Sequence, residues 1–145
     1  MAFRFDKLTL KSQEALQAAQ ALAGERSHQR LEPMHLLAAL LDPNQQVVRA
    51  LFTQLGVNPA QVLKAAQQGL DALPRVTGGE ISIGPDLATV LESAQAEADR
   101  MKDQYVSVEH LLLGLAKVKS KTQALLDSLG VTAPEILKAL QKVRG

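Results

Sequence analysis

Apolar residues recur every three or four positions along most of this chain, the spacing that places side chains on one face of an α-helix. Leu16, Ala19, Leu22 and Ala23 show this period in the first segment. Prolines, glycines and capping residues divide the pattern into eight segments, so the sequence predicts eight short helices joined by tight turns. These helices are expected over about residues 9–23, 33–41, 45–55, 59–73, 85–102, 108–117, 122–129 and 132–143.

The predicted helix ends depend on residues with known capping preferences. Thr9 and Ser107 stand where N-cap residues are expected, because their hydroxyl oxygens can accept a hydrogen bond from a free N–H of the first turn. Thr132 and Glu135 have the spacing of a capping box for the last helix. Gly24 is predicted to end the first helix in the left-handed conformation.

One segment between the fourth and fifth helices has no helical period. Residues 74–85 contain Gly78-Gly79, which breaks both helices and strands. Ile81 and Ile83 alternate with a serine and favour a short extended piece. The segment is therefore predicted to be a linker between two helical halves.

The second half of the chain repeats the first. The motif His35-Leu36-Leu37 returns as His110-Leu111-Leu112 after 75 positions, and Leu55-Gly56-Val57 returns as Leu129-Gly130-Val131 after 74. Matches of this extent indicate that a whole four-helix unit has been duplicated. The predicted fold is all-α, a tandem pseudo-twofold repeat of a four-helix unit. The expected single domain covers residues 1–145, with repeat one at about 8–73, the linker at about 74–85 and repeat two at about 86–143.

Composition narrows the functional classes. The chain has no cysteine, 3% aromatic residues and a formal net charge of +1. Disulfides and thiolate chemistry are excluded, and no strong positive field draws the chain to nucleic acid. Basic residues become more frequent toward the C-terminus, but acidic residues interrupt them. This favours a solvent-exposed charged face over a nucleic-acid site. No apolar run is long enough to span a bilayer or to form a signal core, so we expect a cytoplasmic, soluble domain, monomeric in isolation, without nucleic-acid or membrane partners.

Catalytic chemistry has little support in the sequence. No glycine is followed by lysine, so the P-loop is absent, and no nucleophile–base pattern is recognisable. We expect this chain not to be an enzyme and to have no catalytic residues, metal site or cofactor. His35 and His110 each lie in the first turn of a helix, where local hydrogen bonds are favoured over a shared metal site because no third ligand is visible. His28 lies in a polar stretch and is expected at the surface.

The turn between the fifth and sixth helices is a candidate binding surface. It places Tyr105, the only tyrosine, and Val106 beside the acidic residues Asp103 and Glu109. An apolar floor with a charged rim is typical of a peptide site. The alternative is that Tyr105 packs as a hinge between the two helices, and the sequence leaves both interpretations open.

Three segments bring a known family into view. The opening Phe5-Asp6-Lys7-Leu8-Thr9, the segment Ala72-Leu73-Pro74-Arg75-Val76 and the run from Asp103 to Leu111 resemble signatures of the Clp amino-terminal domain, in particular its ClpB-type branch. The resemblance covers essentially all 145 residues. It implies a domain of a longer hexameric disaggregase that works with the DnaK system, with ATP and magnesium bound in downstream ATPase modules absent from this chain.

The resemblance also implies a function. The domain is expected to engage unfolded or aggregated polypeptides through a surface groove and to pass them to the ATPase ring. The alternatives are docking of one adaptor protein, as in a Clp-family unfoldase, and a structural spacer that binds nothing. A two-site reader of phosphorylated arginine, as in the ClpC-like branch, is disfavoured because Met34 precedes His35 where that branch has glutamate.

The expected binding residues come from the same resemblance. The family's polar positions match Thr9, Asp103 and Glu109. Three positions that are leucine in some relatives differ here, namely Ser93, Glu97 and His110. Apolar surface is expected from Leu91, Ala94, Met101, Tyr105 and Val106.

Overall fold

The computed structural model describes residues 3–144, which contain eight α-helices and confirm the predicted all-α class. The helices are α1 (Leu10–Glu25), α2 (Pro33–Leu40), α3 (Gln46–Gln54), α4 (Pro59–Asp71), α5 (Pro85–Arg100), α6 (Val108–Lys117), α7 (Lys121–Ser128) and α8 (Ala133–Arg144). A short 3-10 turn, Phe5–Lys7, precedes α1. No helix in the described part of the chain is both long enough and apolar enough to cross a membrane.

The two predicted N-caps are confirmed. The Thr9 hydroxyl accepts a hydrogen bond from the Ser12 N–H at 3.2 Å at the start of α1. Ser107 caps α6 as part of a capping box in which His110 takes the part usually played by glutamate. The box predicted for α8 is weaker, since the Glu135 N–H lies 3.5 Å from the Thr132 hydroxyl.

The predicted left-handed stop at Gly24 was wrong. Helix α1 continues through Gly24 to Glu25, and Ser27 takes the left-handed conformation with φ of 59°. Lys102, 75 positions later, does the same after α5 with φ of 61°. The turn is closed in both repeats by an N–H that reaches back five residues, from His28 to the Ala23 carbonyl and from Asp103 to that of Ala98. These bonds satisfy the last helical carbonyls, so non-glycine residues accept the strained φ.

Extended segments cross between the repeats. The predicted extended piece forms β2 (Ser82–Ile83), which pairs in parallel with β1 (Arg30–Leu31) of the first repeat. In the same way, Leu8 of the first repeat forms a parallel bridge with Val106 of the second. Leu8 and Leu31 lie 75 positions before Ile83 and Val106, so the two pairings are equivalent under the duplication. An extended segment of each half therefore pairs with the other half, as expected for a pseudo-twofold pair.

The core lies around α2 and α6, the helices that begin with the His-Leu-Leu motif. All residues of α6 from His110 to Ala116 are buried, and so are all residues of α2 except Met34. Helices α1 and α4 cover α2, while α5 and α7 cover α6. The core side chains are mostly leucine and alanine. Because alanine is small, helix axes can approach closely, and the size of single side chains then decides how the helices pack.

Candidate functional site

A buried histidine organises the start of the second helix in each repeat. The Nδ1 atom of His35 accepts a hydrogen bond from the Glu32 N–H at 2.9 Å, and Nδ1 of His110 accepts one from the Ser107 N–H at 2.9 Å. Both imidazoles are closed to solvent. The predicted local role of these histidines is confirmed. Because Nδ1 of each ring accepts a hydrogen bond, the ring proton lies on Nε2, which is free to donate.

The partner of Nε2 differs between the repeats. In the first repeat, Nε2 of His35 lies 2.8 Å from Nδ1 of His28; in the second, Nε2 of His110 lies 2.8 Å from the Asp103 carboxylate. His28 and Asp103 are 75 positions apart, so they are equivalent residues with different chemistry. The expectation that His28 lies on the surface was wrong, because the turn at Ser27 brings it against His35 and leaves it 5% exposed.

The histidine pair of the first repeat resists protonation. Burial, together with repulsion from His28, lowers the pKa of His35 to about 4. Burial and the nearby Arg26 and Arg75 guanidinium groups lower the pKa of His28. Within residues 3–144, no group of three or more histidine, aspartate or glutamate side chains is placed to hold a metal ion.

Asp103 and Glu109, here called the acidic pair, lie at the turn from α5 into α6. Arg144 of α8 binds both, with Nη1 3.1 Å from Asp103 Oδ2 and Nη2 2.8 Å from Glu109 Oε2. Burial raises the pKa of each carboxyl, but hydrogen bonds from Arg144 and His110 to Asp103, and from Ser107 and Arg144 to Glu109, outweigh it and leave both pKa values below the ordinary range. The acidic pair is therefore anionic at neutral pH, and it keeps part of its surface open to solvent.

Glu97 belongs to a different network. It lies on α5 with only 2% of its side chain exposed, and it bonds to Arg100 at 2.6 Å and to the Lys117 ammonium of α6. Burial raises its pKa, but the hydrogen bonds from Lys117 and Arg100 outweigh burial and hold the pKa below its ordinary value. The carboxylate is thus an internal ion-pair member between α5 and α6, and it is closed off from a ligand.

This network makes a prediction about stability. Replacing Lys117 by methionine should lower the free energy of unfolding by about 2 kcal/mol, because Glu97 would stay buried with one cationic partner instead of two. Adding Glu97→Leu should recover most of that loss, since an apolar pair needs no compensating charge. Urea denaturation of the single and double variants measures both values. If the double variant were no more stable than Lys117→Met alone, Glu97 would not be the group that Lys117 compensates.

The structure sorts the predicted binding residues by exposure. Five have side chains closed to solvent and support the surface from below: Leu91, Ala94, Glu97, Val106 and His110. The other six keep exposed surface: Thr9, Ser93, Met101, Asp103, Tyr105 and Glu109. A ligand on the outer surface of this region can touch only the second group.

Val106 anchors the turn between α5 and α6, and the neighbouring Tyr105 stays half exposed. The Val106 N–H donates to the Lys7 carbonyl at 2.7 Å, and its carbonyl accepts from the Thr9 N–H at 3.1 Å and from the Ser12 hydroxyl at 2.9 Å. These bonds fix the loop to the start of α1. Tyr105 remains 51% exposed, with the Lys7 ammonium 5.9 Å from its ring centre. The interpretation of Tyr105 as a packed hinge is therefore wrong, because half of its side chain is exposed and the bonds that fix the turn belong to Val106.

A second concave surface was missed by sequence reasoning. A groove of about 600 Å³ lies between α1, the 3-10 turn and β2. Apolar side chains form its floor, glutamines of α1 line one wall, and none of the predicted binding residues contributes to it. Its lining includes Leu8, Leu16, Leu31, Ile83, Gln13 and Gln17. The spacing of Gln13, Gln17 and Gln20 along one stripe of α1 was the available signal, but the opposite wall comes from the pairing of β2, which the sequence does not reveal.

Comparison with known proteins identifies a family to which this chain is similar. The model of the Clp repeat (R) N-terminal domain matches residues 7–129. The chaperone protein ClpB of Porphyromonas gingivalis is 36% identical over 136 residues, which are 94% of this chain and 16% of that protein. The chain spans only 16–17% of the length of this and two other curated ClpB relatives.

Solved structures share the fold. The N-terminal domain of Hsp104 from Candida albicans superposes with a TM-score of 0.83 at 23% identity, covering 96% of this chain and 92% of that one. A ClpV N-domain solved as a complex with a VipB peptide superposes with a TM-score of 0.74 at 21% identity, covering 96% and 94%. At this level of identity the likeness concerns the fold, and the binding residues must be argued from this chain.

Proposed function

We propose that this chain, which belongs to the Clp repeat (R) N-terminal domain family, engages unfolded or aggregated polypeptide for a ClpB-like chaperone. Domains of this family are non-catalytic and bind substrates or adaptors, while the ATPase activity of the relatives lies in other modules. The absence of a P-loop from the sequence agrees with that division. Passage of the client to an ATP-driven, hexameric ring, and cooperation with the DnaK system, are parts of the same proposal.

The acidic pair is the observation that supports this function best. Its two carboxylates are anionic and come from adjacent elements. Each has an internal partner in addition to Arg144, His110 for Asp103 and Ser107 for Glu109. Preorganised carboxylates bind the cationic side chains or the free N–H groups of an extended polypeptide without further ordering. An unfolded client offers both kinds of group at many positions.

Apolar contact around the acidic pair is limited. Tyr105 is 51% exposed, but three of the residues expected to supply apolar surface are buried in the core: Leu91, Ala94 and Val106. Since burying one leucine-sized side chain is worth about 1.5–3 kcal/mol, binding should be weak, of order micromolar or poorer. Several domains on one ring would raise the effective affinity, and weak contacts let a client move onward.

Neutralising the acidic pair should weaken client binding. The double variant Asp103→Asn, Glu109→Gln is expected to bind reduced casein about five- to ten-fold more weakly, because hydrogen bonds to charged groups are worth about 1.5–3 kcal/mol and solvent reduces that value here. The amide NMR titration of the domain with reduced casein measures the affinity and locates the shifts.

A matched control carries the same charge change elsewhere. Asp127→Asn, Glu135→Gln alters two exposed carboxylates of α7 and α8 and should leave binding unchanged. Equal weakening by both double variants would mean that overall charge, rather than the acidic pair, governs binding. Shifts in wild type that spare Asp103, Tyr105 and Glu109 would move the site elsewhere.

The groove beside α1 favours a second candidate, docking of one adaptor or partner protein. Its concave shape and mostly apolar lining suit a defined segment better than a varied unfolded chain. The ClpV N-domain, with the same fold, is known in complex with a VipB peptide. Adaptor docking predicts saturable one-to-one binding to a folded partner, with amide shifts at Gln13, Leu16 and Ile83, and no response to reduced casein.

A further inference from the structure

The last turn of α8 reaches back across the domain to the acidic pair. Arg144 lies 41 positions after Asp103 and 35 after Glu109, yet its two terminal nitrogens contact one carboxylate each, at 3.1 and 2.8 Å. Arg144 contacts one oxygen of each acid, Asp103 Oδ2 and Glu109 Oε2, so its positive charge lies where an external cation would bind the acidic pair. The domain thus carries its own ligand for the surface assigned to clients.

The three side chains are not equally accessible. The exposed fraction of the side chain is 13% for Glu109, 29% for Asp103 and 39% for Arg144, so Arg144 is the most exposed of the three. Each carboxylate has a partner besides Arg144: Nε2 of His110 lies 2.8 Å from Asp103 Oδ2, and Ser107 bonds to Glu109. Arg144 can therefore leave without moving the carboxylates, and the acidic pair would be ready for another cation.

We propose that Arg144 is an autoinhibitory strap that competes with the arginine and lysine side chains of a client for Asp103 and Glu109. This inference rests on the proposed function, and it specifies the client chemistry: a cationic side chain replaces the guanidinium of α8. An apolar or aromatic neighbour in the client would find Tyr105, two residues from Asp103 and 51% exposed.

Competition of this kind has a reciprocal consequence. If Arg144 must leave before a client binds, the apparent affinity is reduced by the fraction of molecules in which the strap is closed. By the same linkage, a bound client must free the end of α8. Because partly exposed ion pairs are weak, the strap is closed in most but not all molecules, and its removal should strengthen binding by about three- to five-fold.

Two fluorescent peptides of identical aromatic and aliphatic content test this proposal, one with arginine and one with citrulline, its uncharged isostere. The variant Arg144→Gln should bind the arginine peptide about three- to five-fold more tightly than wild type, while the citrulline peptide, which offers only neutral N–H donors, should gain less. Lys138→Gln removes one positive charge from the same helix, where Lys138 lies 3.5 Å from Glu135, and should leave both affinities unchanged.

A probe without a client tests the strap itself. Acetyl-arginine amide at tens of millimolar should shift the Nε signal of Arg144 toward that of a free guanidinium in the wild-type domain. The proposal is overturned if that signal does not move, or if Arg144→Gln leaves arginine-peptide binding unchanged or weaker. If the wild-type domain bound neither the peptides nor casein, but acetyl-arginine amide still displaced the Arg144 signal, the proposed function would be rejected. The contact of Arg144 with the acidic pair would still be a displaceable one.

Discussion

Lowering the pH from 7 to 4 is expected to reduce the free energy of unfolding by about 3 kcal/mol through the His28–His35 pair alone. The folded protein holds the pKa of His35 at about 4, whereas a histidine in an unfolded chain has a pKa of about 6.5. Between these two values the unfolded chain binds a proton that the folded protein does not. Acid therefore favours unfolding across this window, and the contribution levels off below about pH 4.

The local structure explains why protonation is resisted. Nδ1 of His35 already accepts the Glu32 N–H, so a second proton on the ring would break that capping bond. Nε2 donates to His28, whose own ring is buried and near Arg26 and Arg75. A positive charge here would have no carboxylate partner like the one that Asp103 offers in the second repeat.

Carboxylates act in a different range. The depressed pKa values of Glu97, Asp103 and Glu109 give stability that is present above their ordinary values near 4 and is lost as the pH falls through the folded values. Burial raises the pKa of Glu32, so its contribution has the opposite sign and is lost as the pH rises. All four carboxyls are common to wild type and to a variant of His28. Above about pH 4.5, where a carboxylate introduced at position 28 would also stay ionised, a comparison of the two therefore isolates the histidine pair.

The second repeat supplies the design of that variant. His28→Asp places a carboxylate beside His35, as Asp103 lies beside His110, and should raise the pKa of His35 and remove most of the stability loss between pH 6.5 and 4. Urea denaturation followed by circular dichroism at 222 nm, at half-unit pH steps, measures the slope. The reciprocal variant Asp103→His should add a second acid-sensitive step, although its stability will be lower at every pH because the bond to Arg144 is lost.

Two outcomes would contradict the assignment. One is a wild-type stability that stays level between pH 6.5 and 4.5. The other is an unchanged slope in His28→Asp, which would mean that the acid-sensitive group lies outside the pair.

The features that the sequence predicted correctly are local ones. Helix period, proline at the first position of α2, and hydroxyl caps at Thr9 and Ser107 each depend on residues within one or two turns. The duplication extended these local features to a fold, because a matched block must form the same unit twice. The histidine caps followed from the same reasoning, since Nδ1 finds its partner three residues away.

Two of the missed features are local, namely the continuation of α1 through Gly24 and the burial of His28 after the Ser27 turn, whereas the missed ion pairs join residues far apart in the chain. Contacts of Arg144 with Asp103, and of Lys117 with Glu97, span 41 and 20 positions, and no periodicity encodes them. One signal was available: Glu97 lies three residues after Ala94 on the apolar stripe of α5, where a carboxylate must find a cationic partner. The fold was thus predictable from local pattern, whereas the chemistry of the binding surface depended on which distant charges the packing brings together.

Replacing Gly114 by valine is expected to destabilise the domain by about 3 kcal/mol, and replacing it by alanine by about 1–2 kcal/mol. Gly114 lies in the middle of α6, where a Cβ atom would stand 2.6 Å from the Val90 carbonyl oxygen and 3.3 Å from the Ala94 nitrogen. Both are backbone atoms of α5, so no rotamer change relieves the clash and the two helices must move apart. Valine adds two methyl groups to the same space and has lower helix propensity than alanine.

The same glycine-to-alanine change elsewhere should have the opposite sign. Gly24 lies inside α1, and a Cβ atom there would meet only the Ile81 side chain, at an ordinary contact distance of 3.5 Å. Gly24→Ala should therefore raise the free energy of unfolding by up to about 1 kcal/mol, because alanine favours a helix interior over glycine by about that amount. Urea denaturation of the two alanine variants separates two effects. Helix propensity stabilises both variants, whereas the close approach of α5 to α6 destabilises only Gly114→Ala. A stabilised Gly114→Ala would show that α5 and α6 have room to separate, and that the absence of a side chain at Gly114 is not what sets their distance.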